Sequence, residues 1–97
     1  MDRGTLMEKK IHIYYINRIK HNLRRIFEAE DTYCFTEEDQ HIVVANNRAI
    51  EHWLKKAGIT EPKLKQEILS NVDWCWENCY LHLESLGWTI IRGNENL

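Results

Sequence analysis

The chain has 97 residues, a formal net charge of −2, 43% hydrophobic and 29% charged residues, and only four glycines and one proline. Those values exclude fibrous and disordered classes and predict one core that buries roughly 60 to 65% of the unfolded chain's surface. No run approaches the roughly 18 to 20 apolar residues of a membrane span, and Met1-Asp2-Arg3-Gly4-Thr5-Leu6 lacks the apolar stretch of a signal peptide, so a cytoplasmic protein with no membrane partner is expected.

Residues 1–7 are expected to be a flexible leader, with Met7 an alternative start, followed by a single α+β domain over 8–92 and a polar tail over 93–97. The first clear element is an amphipathic helix. Tyr15, Ile16, Ile19, Leu23, Ile26 and Phe27 share one arc, and Asn17, Arg18, Lys20, His21, Arg24 and Arg25 the other. The preceding stretch, residues 10–16, is rich in β-branched and aromatic residues; the favoured reading is one helix from about Glu8 to Ala29, with a strand that runs into a helix as the alternative. Next, Thr32–Thr36 and His41–Ala45 flank the polar run Glu37-Glu38-Asp39-Gln40, which predicts a hairpin, without an Asn-Gly or Asp-Gly to set its turn.

Asn46 or Asn47 is the expected cap of a helix with Ile50, Trp53, Leu54 and Ala57 on its buried stripe, ended by Gly58. Thr60 and Pro62 restart a helix that runs to about Leu86. Its arc carries Leu64, Ile68, Leu69, Val72, Cys75, Trp76, Cys79, Leu83 and Leu86, and Ser70-Asn71-Val72-Asp73 marks a candidate break near Ser70. Gly87 closes it, and Trp88–Arg92 reads as a strand. The predicted order is therefore α-β-β-α-α-β, a small three-stranded, mostly antiparallel sheet covered by helices on one face.

Charge is unevenly placed. Residues 1–27 hold seven Lys/Arg against two Asp/Glu, +5, and residues 28–97 hold six against thirteen, −7. Such polarity either steers a partner or draws two surfaces of one fold together. Arg18, His21 and Arg25, flanked by Lys20 and Arg24, form a basic helix face able to meet phosphates, although no RRM, KH or zinc-finger signature accompanies it, and such faces are more often simply solvated.

The three cysteines, Cys34, Cys75 and Cys79, are an odd number that fits reduced thiols. Cys75, Cys79 and His82 lie at i, i+4 and i+7, a spacing zinc could use, but cysteines on an apolar arc with Val72 and Leu83 read first as packing, and no metal or other cofactor is expected. Cys75-x3-Cys79-x2-His82 differs in its third position from the Cys-x3-Cys-x2-Cys cluster motif of radical enzymes, and the chain is too short for their barrel.

Trp74 and Leu81 sit seven residues apart opposite the main stripe of the last helix. Either that helix is buried on both sides or the pair is a docking surface, with acidic neighbours Asp73, Glu77 and Glu84. No phosphate loop, nucleophile elbow or His-Glu-x-x-His occurs, and a domain this small is expected to leave little room for a pocket of about 300 Å³. The sequence therefore predicts a non-enzymatic protein-binding module. It would be a small regulator or inhibitor that masks a surface on a larger, nucleic-acid-handling protein, or that homodimerises. The alternative is a nucleic-acid-binding domain that uses Arg18, Lys20, His21, Arg24 and Arg25.

Overall fold

In a computed structural model that describes residues 8–75 and 77–93, the order is β1 (Lys10–His12), α1 (Ile13–Glu30), α2 (Glu37–Lys56), α3 (Pro62–Asn71), α4 (Cys79–Ser85) and β2 (Thr89–Ile91). The expected leader (1–7), Trp76 and most of the expected tail (94–97) lie outside the described residues.

The described residues do not form the expected three-stranded, mostly antiparallel sheet. The described residues are mostly helical, and their sheet is one parallel pair, Lys10 against Thr89, Ile11 against Ile90 and His12 against Ile91. The single helix expected from about Glu8 is corrected as well: residues 10–12 form a strand, and the helix begins only at Ile13. Ile11 is held in the strand by its partner β2 and is 1% exposed. His12 turns the chain into α1, its Nδ1 accepting from the Tyr14 N–H at 3.0 Å.

The predicted hairpin at 32–45 is replaced by the start of a 20-residue helix. Thr36 Oγ1 accepts from the Asp39 N–H at 3.1 Å and the Asp39 carboxylate accepts from the Thr36 N–H at 2.9 Å, a reciprocal cap that satisfies two otherwise open donors. Glu37, Glu38 and Asp39 then lie at the positive end of the helix dipole. The acidic run read as a hairpin connection is thus a helix start, and Ile42-Val43-Val44 are helical because the cap at Thr36 starts the helix upstream of them and α1 offers that helix a surface to pack on. Asn46, expected as a cap, sits mid-helix and donates to the Ile42 carbonyl at 2.8 Å.

The last helix also divides. α3 starts with Pro62 in its first turn and stops at Asn71, and α4 begins only at Cys79. In the intervening turn the Asp73 carboxylate accepts from the Cys75 N–H at 3.0 Å, a side-chain turn that competes with helical bonding. Gly58 (φ 83°) and Gly87 (φ 99°) end α2 and α4 in the left-handed region, as expected of glycine there.

α1 and α2 pack as an antiparallel helical hairpin, and the described chain measures 54 × 25 × 23 Å. The core lies at the end nearer β1. It joins Ile11, Tyr15, Ile16 and Ile19 to Ile50 and Leu54 of α2, Leu64 and Ile68 of α3, Leu83 of α4, Trp88 and Ile90. Glu67 ties this end together, its carboxylate accepting from Trp88 Nε1 and from Lys9 Nζ, both at 2.8 Å, while Lys9 also donates to the Leu86 carbonyl at 3.0 Å. No described helix is long and apolar enough to cross a membrane.

Candidate functional site

The acidic and apolar residues predicted as one docking face are divided between the turn before α4 and α4 itself. Trp74 lies in the turn before α4, half-buried, with its ring 5.0 Å from that of Phe27 and the Arg24 guanidinium 5.8 Å from its centroid. Leu81 is on α4 and 64% exposed. Glu84 pairs with Arg92 at 3.7 Å, Glu77 is exposed, and Asp73 is engaged with Cys75. The physical reason is the break after Asn71, which takes Trp74 off the helix that carries Leu81.

α1's basic residues divide between two edges of the helix. On the α4 side, Lys20 Nζ lies 5.3 Å from the centre of the Tyr80 ring, and Arg24 pairs with Glu28 at 3.2 Å as well as covering Trp74. Asn17 accepts from the Tyr80 hydroxyl at 2.8 Å on that same edge. Part of the basic charge of α1 is therefore engaged by neighbouring groups of the same chain. On the other edge, Arg18, His21 and Arg25 are exposed, with Arg18 lying 5.2 Å over the Trp53 ring.

Of the three residues at a zinc-compatible spacing, Cys75 lies in the turn before α4, and Cys79 and His82 lie on α4. Cys79 is buried and Cys75 exposed, and His82 Nε2 meets Asn71 Oδ1 at 2.8 Å. The Cys75 thiol donates to the Asp73 carboxylate at 3.0 Å, which pushes its pKa up and that of Asp73 down, while burial raises the Cys79 thiol. Among the described residues no group of three or more His, Cys, Asp and Glu could hold a metal ion.

Two features escaped the sequence reading. The first is the tip where α1 passes into α2. Residues 28–40 hold Glu28, Glu30, Asp31, Glu37, Glu38 and Asp39 and no Lys, Arg or His. Phe27 and Phe35 are each 47% exposed there and Tyr33 is fully exposed. Beside the tip runs a groove of about 360 Å³ lined by Leu23, Ile26, Phe27, Leu69, Val72 and Trp74, with the carboxylates of Glu30 and Asp73 along it. The −7 balance over 28–97 hinted at such a cluster, but the hairpin misreading hid that it caps a projecting arm.

The second is a cleft of about 500 Å³ between Tyr14, Tyr15, His52, Trp53 and Lys56, larger than the chain length suggested. Rings dominate it, with Tyr14 meeting Trp53 edge to face at 5.9 Å and His52 meeting Trp53 at 4.9 Å.

No protein-family model, curated protein or solved structure matches this chain.

Proposed function

We propose that this chain is a non-enzymatic protein-binding module, a small regulator that grips a cationic segment or surface of a larger protein with the tip of its α1–α2 hairpin. The observation that carries this reading is the run of six carboxylates over residues 28–40, of which Glu28 is paired with Arg24, set around the exposed rings of Phe27, Tyr33 and Phe35. Glu30 stands in the last turn of α1 and Asp31 just beyond it, at the negative end of the helix dipole, where carboxylates cost stability rather than add to it. A basic partner would relieve that repulsion and be steered to the tip by it, while the rings supply desolvated contact area. Surfaces that grip nucleic acid are cationic and would suit this tip. Two copies meeting tip to tip would set six carboxylates against six, so a homodimer through this surface is disfavoured.

Selection from a random peptide display library tests the reading, using the full chain as bait and a Tyr33→Ala/Glu37→Gln/Glu38→Gln variant for counter-selection. Enriched peptides should combine Lys or Arg with apolar residues, and their binding should weaken with salt and be lost with the variant. Enrichment of neutral or acidic peptides, or binding that the variant leaves intact, would overturn it.

A further inference from the structure

The open edge of the hairpin is chemically the opposite of its tip. Tyr14, Arg18, His21 and Arg25 recur at helical spacing along α1, and from Arg18 to Arg25 the helix rises about 10 Å. Across the seam from Tyr14 stand Trp53 and Lys56 of α2, and no Asp or Glu lines the cleft that these residues share with Tyr15 and His52. Tyr14 is 42% exposed, Trp53 is half-buried, and Arg18, Arg25 and Lys56 are exposed. The Arg18 guanidinium already lies against the Trp53 ring, so a flat cationic surface continues the aromatic one.

We infer that this edge binds single-stranded nucleic acid, a base stacking on the exposed ring of Tyr14 at the mouth of the cleft, beside Trp53, while the backbone phosphates follow Lys56, Arg18 and Arg25. Ring surface beside a row of cations is the combination that unpaired bases and their phosphates complement. An acidic peptide would satisfy the cations and leave the rings idle. A duplex keeps its bases stacked on each other and gains nothing from the cleft. Lys20 and Arg24, on the opposite edge against Tyr80 and Trp74, take no part, so only part of the basic face of α1 contributes, joined by two residues of α2. The inference does not rest on the proposed role of the acidic tip.

Fluorescence anisotropy of labelled uridine and thymidine dodecamers with the full chain tests it, alongside a duplex of the same length and a polyglutamate peptide. Binding to the single strands should weaken with salt at a log–log slope of about −2, roughly −0.7 for each of three neutralised phosphates. Arg18→Ala with Arg25→Ala should remove most of that slope. Tyr14→Ala should weaken single-strand binding about ten-fold, as loss of one stacked base does, while Tyr14→Phe keeps it. If Tyr14→Ala does not fold, the arginine pair decides alone, since both side chains are exposed. Tyr33→Ala, at the acidic tip, should change nothing here, which separates this edge from the proposed protein-binding surface. No single-strand binding at about 50 mM salt, equal binding of the duplex or of polyglutamate, or insensitivity to the arginine pair would each overturn the inference.

Discussion

Asn22 of α1 donates its Nδ2 to Asn46 Oδ1 at 2.9 Å across the hairpin, and its own Oδ1 is buried without a hydrogen-bond partner among the described residues. A polar pair inside a helix seam sets register, because sliding one helix by a turn would leave the Asn22 amide without the acceptor that Asn46 supplies. Asn46→Ala should therefore cost about 1–3 kcal/mol by stranding Asn22. Replacing both with leucine should recover most of that loss, since no unpaired polar group remains. Urea unfolding of the two variants checks this, and a double variant less stable than Asn46→Ala would contradict it.

The cap at Thr36 makes a second expectation. Thr36→Ala removes the acceptor of the Asp39 N–H and should lower stability by about 1 kcal/mol. The expected reading is a lower unfolding midpoint with α-helical circular dichroism retained under native conditions. An unchanged midpoint would mean that packing against α1 alone holds the start of α2.

Acid should loosen the end that holds the core. The bonds from Lys9 first and Trp88 second hold the Glu67 carboxyl below its ordinary value of 4.5. A group with a depressed folded-state pKa stabilises fully above its unfolded value, and that contribution is lost as pH falls through the folded one. The unfolding midpoint of the native chain should thus drop more steeply between about pH 6 and about pH 3 than that of Glu67→Gln, which has no charge to lose. Parallel profiles for the two proteins would show that the Lys9–Glu67–Trp88 contact does not couple to folding.

Much of α1 was legible because its apolar residues recur at helical spacing over several turns, and Tyr15, Ile16 and Ile19 are buried as the wheel requires. The glycine stops at 58 and 87 and the strand at 89–91 were also readable, since positive φ and a β-branched run next to a glycine stop are local properties. Residues 32–45 were not. Ile42-Val43-Val44 suit a strand or a helix face equally, and the motif that separates the two, Thr36 with Asp39, lies just upstream of a run that also resembles a turn.

The candidate surfaces were less legible still. Trp74 and Leu81 share a face only if the helix is continuous, and one side-chain turn at Asp73 sends them to different elements. The Tyr14–Trp53 cleft joins residues 39 positions apart, and nothing in either segment alone announces the other.

Local chemistry was thus settled along the chain itself: helical periodicity, capping pairs, glycine stops and the placement of charge are carried by neighbouring residues. Which strand pairs with which, how α1's cations divide between an internal edge and an open one, and where the acidic run ends up in space depend on contacts between distant segments. Those contacts form only when the whole apolar surface is buried at once, so packing, and not propensity, made the choice.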